Sequence, residues 1–343
     1  MNTDEHFMQR CLQLAEMGLG YVGSNPMVGS VVVCDGKIIG EGYHEQFGCS
    51  HAEVNAINSV SDQHLLSRST LFINLEPCSH TGKTPPCSTL IIEKKIPSVV
   101  VGMKDPFPKV NGTGIRALEN AGIKVKVGIL EKECIELNKR FLCALSKNRP
   151  YLILKWAQSA DGFTGKIDER VQISNESSKI YTHKWRSEEM AIMIGANTAR
   201  VDDPLLDVRI WQGKSPIKII IDRSGILQNH PHLKILNGED PTYVFTSSTL
   251  SLKAPNQVIK ISNEGSFMNQ VFVKLDKLGI TSCFVEGGST LHQLLIQENL
   301  WDEILVFTSP NELGHGIKAP EMPNLPSTIT AIDDNTLTTI RNR

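Results

Sequence analysis

The sequence predicts an α/β protein built from two consecutive domains. A chain of 343 residues is long for one domain and comfortable for two. A strand pair turning at Asp35-Gly36 is followed by repeated alternation of helix and strand, the pattern of a central sheet covered by helices on both faces. After the polar, proline-containing stretch Lys147-Asn148-Arg149-Pro150 a second series of strands and helices begins. The boundary is placed there, giving domains at 1–147 and 150–343. Hydrophobic residues make up 40% of the chain, enough to fill both cores.

Phe7, Cys11 and Leu14, with Met8, Leu12 and Ala15, recur at three- and four-residue spacing and predict a helix over 4–17. Gly18 and Gly20 stop it. Strands follow over 30–34 and 37–43. A helix starts at His51, with Val54, Ile57 and Val60 available to a core. The run 70–75 reads as a buried strand. Beyond Cys87 the order is a helix through Leu90, Ile91 and Ile92, a strand over 98–102, a helix over 112–121 and a strand over 124–128. A single helix is expected over 131–145. In the second half, strands are expected over 151–156, 191–194, 217–221, 242–245, 258–261, 282–285 and 301–307. Helices are expected over 177–186 and 196–200 and from 291 onward. The proline-rich tail after Pro310 is given no element and no chemistry.

Charge excludes some classes of function. Lysine and arginine number 35 against 37 acidic residues, a net charge of -2, so nothing marks a nucleic-acid surface. No apolar run approaches the roughly 18 residues of a membrane span. The N-terminus has no basic region followed by an apolar core, so no signal peptide is read there. The eight cysteines are scattered, and the chain is expected to be cytoplasmic with its thiols reduced.

The chemistry of the first half lies between His51 and Cys87. His51-Ala52-Glu53 opens this stretch, and Glu76-Pro77-Cys78 begins a second cluster that ends at Cys87. One imidazole and two thiols supply three protein ligands, the number used by a catalytic zinc that keeps its fourth position for water. Glu53, two residues past the imidazole, is placed to move that water's proton without binding the metal. Zinc deaminases of nucleobases carry H-x-E…P-C-x-x-C. Here eight residues separate the cysteines. Cys49 is an alternative fourth ligand for a structural zinc, and His80 a loop contact to phosphate or ring. Cys11, Cys34, Cys134, Cys143 and Cys283 read as small buried hydrophobes.

Ser24-Asn25-Pro26-x-Val28-Gly29, Gly40-Glu41-Gly42-Tyr43-His44, His51-Ala52-Glu53 and Glu76-Pro77-Cys78-Ser79-His80-x-Gly82-x-Thr84-Pro85-Pro86-Cys87 together resemble the deaminase half of the bifunctional riboflavin-biosynthesis deaminase/reductase family. The resemblance implies a cytidine-deaminase-like α/β/α sandwich. It implies one zinc per chain on His51, Cys78 and Cys87, and Glu53 as the catalytic proton shuttle. It further implies substrate contacts at Asn25, His44 and Lys83.

In the second half, Gly287-Gly288 joins an apolar strand to a helix whose first N–H groups can hold a phosphate. No G-x-G-x-x-G is present, which speaks against a Rossmann site. Leu154-Lys155-x-Ala157-x-Ser159-x-Asp161-Gly162, Gly195-Ala196-x-Thr198-x5-Pro204-x-Leu206-x2-Arg209 and Val285-Glu286-Gly287-Gly288 resemble the same family's reductase half. That implies a dihydrofolate-reductase-like α/β domain that uses NADPH. Cofactor contacts then fall on Ala157, Gln172, Thr198, Asp202, Gly288, Ser289, Thr290, Leu291, His292, Gln293 and Leu294. Substrate contacts fall on Arg170, Arg186, Leu206, Arg209 and Glu286. The segment 163–172 departs from the family, with Gln172 where tryptophan is common. Arg186 and Arg209 suit a sugar phosphate, and Lys155 with Glu286 suits protonation of the sugar.

The resulting expectation is a zinc hydrolase followed by an NADPH-dependent oxidoreductase. It deaminates 2,5-diamino-6-(5-phosphoribosylamino)pyrimidin-4(3H)-one and then reduces the ribosyl group of 5-amino-6-(5-phosphoribosylamino)uracil. The partners expected are this small phosphorylated pyrimidine and further copies of the chain, with no nucleic acid and no membrane. The competing readings are a nucleic-acid or nucleoside zinc deaminase with an unrelated or inactive C-terminal module, and a zinc-stabilised binding protein without catalysis.

Overall fold

Asp35 and Gly36 both take positive φ, 48° and 74°, which matches the twist a tight hairpin needs. They join β1 (Gly29–Cys34) to β2 (Lys37–Tyr43) in antiparallel register. The computed structural model describes residues 3–79, 85–107, 111–167 and 171–342. The chain divides into two compact units, Met1–Lys147 and Asn148–Arg343.

In the first unit α1 (Thr3–Glu16) precedes the hairpin and α2 (Ala52–Asn58) follows it. Then come β3 (Thr70–Leu75), α3 (Cys87–Glu93), β4 (Ser98–Met103), α4 (Thr113–Asn120) and β5 (Lys124–Val127). The sheet order is β2-β1-β3-β4-β5, with β3, β4 and β5 mutually parallel. Strand alternation sorts the two faces. Leu71, Ile73, Val99 and Val101 pack with Ala56, Ile57, Ile91 and Leu118 of α2, α3 and α4. Phe72 and Val100 pack with Phe7, Met8, Cys11 and Leu12 of α1 and with Cys134. The result is a helix–sheet–helix sandwich. A side chain at Gly42 would start 2.3 Å from the Ala56 nitrogen, so glycine there lets α2 lie close on β2.

The single helix expected over 131–145 is two, α5 (Glu131–Leu137) and α6 (Lys139–Lys147). Asn138 breaks the run because its amide is engaged elsewhere: it accepts from Met27 N at 2.8 Å and donates to Met27 O at 3.1 Å.

The second unit opens with β6 (Tyr151–Gln158), the short β7 (Phe163–Gly165), α7 (Glu176–Glu188), β8 (Ala191–Gly195) and α8 (Ala196–Asp202). It continues through β9 (Ile217–Ile221), β10 (Thr242–Thr246), β11 (Gln257–Lys260), α9 (Phe267–Lys277), β12 (Ser282–Val285), α10 (Ser289–Gln297) and β13 (Glu303–Thr308). The tail is structured as well. It supplies β14 (Ile317–Lys318), which pairs with β7, and the hairpin β15 (Ser327–Ile332) and β16 (Asn335–Arg341). The main sheet runs β11-β10-β9-β8-β12-β6-β13-β16-β15, parallel up to β13 and antiparallel beyond. Leu152, Leu154 and Trp156 of β6 pack with Val271, Phe272 and Leu275 of α9 and Leu291 and Leu295 of α10. On the other face Trp185 of α7 stacks on Phe307 at 5.5 Å. Parallel strands gather their carboxyl ends on one edge, where open α/β sheets take ligands. Ala157, Thr198 and Glu286 all lie at or just beyond such ends.

Candidate functional site

Two strand-to-helix junctions of the first unit bring three donors together. His51 is the N-cap of α2, with extended φ −71° and ψ 160°, rather than a residue of its first turn. Cys78 follows β3, and Cys87 opens α3 behind the Pro86 N-cap. His51 Nδ1 lies 3.6 Å from Cys78 Sγ and 3.3 Å from Cys87 Sγ, and the three donor atoms lie within 4.8 Å of one another. Cys87 N donates to Cys78 Sγ at 3.3 Å. Hydrogen bonding from Cys87, with His51 beside it, lowers the Cys78 pKa, while that bond and burial raise that of Cys87. One imidazole nitrogen and two sulfurs fit a zinc ion with an open fourth position. Glu53 is 3% exposed, and burial, with the Cys78 charge adding to it, pushes its carboxyl up to about 7. Cys49 is exposed and stands outside the donor cluster, and the five cysteines read as hydrophobes are indeed buried.

Asn25 and His44 meet beside this cluster. Ser50 O can only accept, so His44 Nδ1 donates to it at 3.1 Å, and Nε2 accepts from Asn25 Nδ2 at 3.0 Å. The His44 and His51 rings are 5.8 Å apart, edge to face. Two further residues fix this corner and were not singled out from the sequence. Asn74 accepts from Gly29 N at 2.8 Å and donates to Met27 O at 3.0 Å, and Asn138 holds Met27 from the other side. Their partners are remote in sequence, so no local pattern marks them. Lys83 and His80 lie outside the described residues.

In the second unit a pocket of about 250 Å³ is lined by Arg186, Asp202, Asp203, Pro204, Leu205, Leu206, Arg209 and Lys234. It gathers Arg186, Asp202, Leu206 and Arg209 from the expected contacts. Asp203 and Leu206 take positive φ, 39° and 53°, a strain that persists only where the surroundings hold it. Arg186 is bound through two hydrogen bonds to Glu286 and donates to Asp207 O at 3.0 Å. Burial opposes the Glu286 charge, but Arg186 and Lys155 outweigh it and hold the carboxyl below its ordinary value. Burial pulls Lys155 down, with Glu286 opposing. His183, one helical turn before Arg186, accepts from Arg209 N at 3.3 Å through Nδ1. The three-residue spacing to Arg186 could have found it. Lys234 has no such signal.

The remaining contacts separate. A side chain at Gly288 would start 2.8 Å from Thr198 Oγ1, so these two expected cofactor contacts are neighbours. Gly288 and Thr290 are exposed and Ser289 is half-buried, open to a ligand at the start of α10. Leu291 and His292 instead turn into the core. His292 is 1% exposed, donates from Nε2 to Val285 O at 2.9 Å and packs on Trp156. Gln293 accepts from Glu321 N at 2.9 Å, and Leu294 faces outward. Ala157 is half-buried on β6. Gln172 donates to Ser174 O and does not line the pocket. Arg170 lies outside the described residues.

Among the described residues no helix is long and apolar enough to cross a membrane. Residues 1–103 match the cytidine and deoxycytidylate deaminase zinc-binding region, and residues 150–343 match the RibD C-terminal domain. The second match removes the reading in which an unrelated module follows a nucleic-acid deaminase. The chain is 38% identical to the riboflavin biosynthesis protein RibD of Aquifex aeolicus, covering 93% of this chain and 90% of that one. It is 34% identical to RibD of Escherichia coli, covering 91% and 89%. Its fold matches the crystal structure of a diaminohydroxyphosphoribosylaminopyrimidine deaminase/5-amino-6-(5-phosphoribosylamino)uracil reductase from Thermotoga maritima with a TM-score of 0.89 at 33% identity, over 99% of this chain and 98% of that one. A zinc-binding deaminase region and a reductase domain in one chain, with relatives alike over both, make this protein a member of the RibD family of bifunctional riboflavin-biosynthesis deaminase/reductases.

Proposed function

We propose that residues 1–147 deaminate 2,5-diamino-6-(5-phosphoribosylamino)pyrimidin-4(3H)-one and that residues 150–343 then reduce the ribosyl group of 5-amino-6-(5-phosphoribosylamino)uracil with NADPH. The observation that carries the first step is the convergence of His51 Nδ1, Cys78 Sγ and Cys87 Sγ beside the buried Glu53. Zinc held on those three atoms supplies a water acidified toward neutrality. Glu53 carries one proton from that water to the ring nitrogen and then a second from the added hydroxyl to the departing amine. Asn25 and His44, locked to each other, orient the pyrimidine. In the second unit Thr198, Gly288 and the start of α10 hold the dinucleotide. The pocket of Leu206, Arg209 and Lys234 takes the phosphorylated sugar, and Lys155 with Glu286 serves proton transfer at the opened ribose.

Residence in a reducing cytoplasm is part of the same reading and rests on eight unpaired cysteines. Self-association rests on β15, which ends the large sheet with exposed residues from Ser327 to Ala331. Light scattering on the purified chain tests it.

The order of steps is tested by supplying the diaminopyrimidine phosphate with and without NADPH. Ammonia release without NADPH, and NADPH oxidation only after that release, support the assignment. NADPH oxidation that precedes ammonia release reverses it.

A further inference from the structure

We infer that Glu76 is a positioning residue for the zinc ligand Cys78, an inference that rests on the reading of His51, Cys78 and Cys87 as the zinc site. Glu76 is 4% exposed, and among the described residues no lysine or arginine pairs with it. Its carboxylate instead accepts four backbone N–H groups. Oε2 takes Asp105 N at 3.2 Å and Gly112 N at 2.9 Å, and Oε1 takes Gly114 N at 2.9 Å and Ile115 N at 3.2 Å. The donors belong to the β4–α4 connection and the first turn of α4, so the carboxylate ties that segment to the end of β3. Its own N–H donates to Met103 O at 3.0 Å.

Cys78 is held from its other side by the same segment. Ser79 Oγ and Thr113 Oγ1 are 2.5 Å apart. A side chain at Gly114 would start 2.0 Å from Pro77 O, so the segment lies directly on the peptide that precedes the ligand. The Glu76-Pro77-Cys78-Ser79 stretch is therefore clamped at both ends against the start of α4 and the residues leading into it, with the sulfur donor between the clamps. His51 caps α2 and Cys87 opens α3, whereas Cys78 lies in a loop and depends on this clamp for its place. Partners that orient a metal ligand commonly change metal affinity or activity by roughly tenfold to a hundredfold when removed.

The test uses the full-length zinc-loaded chain. Glu76→Gln keeps the size of the side chain but turns an amide N–H toward backbone donors. Zinc transfer to a chromogenic chelator should speed up about tenfold or more. The deaminase kcat should fall by a similar factor, with KM within about twofold and reductase activity retained. Glu76→Asp keeps the charge but is too short to reach both pairs of donors, so its zinc release should fall between the two. A Gln variant that melts lower yet releases zinc at the wild-type rate overturns the inference. If the Gln variant does not fold, wild-type release from Glu76→Asp overturns it equally. A wild-type chain without zinc, or a His51→Ala variant that keeps it, removes the ligand reading itself and the inference with it.

Discussion

Glu286 faces Arg186 through two hydrogen bonds, from Nε at 2.5 Å and from Nη2 at 3.0 Å, with side chains 12% and 11% exposed. The guanidinium charge is thereby committed to a carboxylate from the β12–α10 junction. Arg209 and Lys234, exposed on the same pocket, are left as the cations that can move to a phosphate. Glu286→Gln breaks a buried pair and leaves Arg186 and the buried Lys155 without their counter-charge. The cost expected is about 3 kcal/mol of stability, together with loss of NADPH oxidation. Urea unfolding and separate assays of the two half-reactions check it. Deamination should survive, and a variant with wild-type reduction would show that Glu286 serves neither role.

Glu53 offers the opposite separation. Its carboxyl is buried beside the His51, Cys78 and Cys87 cluster, and no ion pair holds it among the described residues. Glu53→Ala should lower deamination at least about 100-fold, the lower end of what a positioned proton carrier contributes. Reduction of supplied 5-amino-6-(5-phosphoribosylamino)uracil should continue at the wild-type rate. Parallel loss of both rates in a folded variant would contradict the division of labour.

The tail carries more of the second unit than its composition indicates. Ile340 on β16 is 3% exposed and packs into the main core with Ile304 and Val306 of β13. Ile340→Ala should cost about 3 kcal/mol by the ordinary price of a buried cavity. A lower denaturation midpoint with weakened NADPH oxidation is the expected result. A change within experimental error would mean that the hairpin is dispensable to the core.

The convergence of three donor atoms was readable because each donor sits at a junction that the sequence itself marks: His51 before an apolar helix, Cys78 after a buried strand, Cys87 behind two prolines. The clamps around them were not readable. Asn74 and Asn138 bond to Met27, 47 and 111 residues away, and Glu76 bonds to groups 29 to 39 residues away. Backbone donors have no sequence signature, so a residue that works through them looks like any buried polar side chain. The tail failed differently. Its strands are rich in threonine and isoleucine, a β-prone composition hidden behind the prolines at 320, 323 and 326. Over the family's expected cofactor run the motif located the α10 N-terminus correctly, but only the fold shows that Leu291 and His292 face inward.

His292 makes that inward turn measurable. Its ring is buried, donates to Val285 O and packs 5.3 Å from Trp156. Burial lowers its pKa from 6.5 to about 4, and the Lys155 charge lowers it further against the Val285 bond. The folded pKa is depressed, so the folded state binds fewer protons than the unfolded state through this window. The stabilisation from a neutral His292 is then complete above pH 6.5 and lost as the pH falls toward 4. A shift of that size corresponds to on the order of 3 kcal/mol. Glu286, also held down, weakens the fold only below its ordinary value of 4.5. Burial lowers His183 as well, so the wild-type curve alone does not isolate His292. Urea unfolding of wild type and His292→Gln, measured between pH 7.5 and 4.5, does isolate it. The glutamine variant should be less stable at pH 7.5 and should lose less stability on acidification. Two curves that run parallel across that range would show that His292 is already free to protonate in the folded protein.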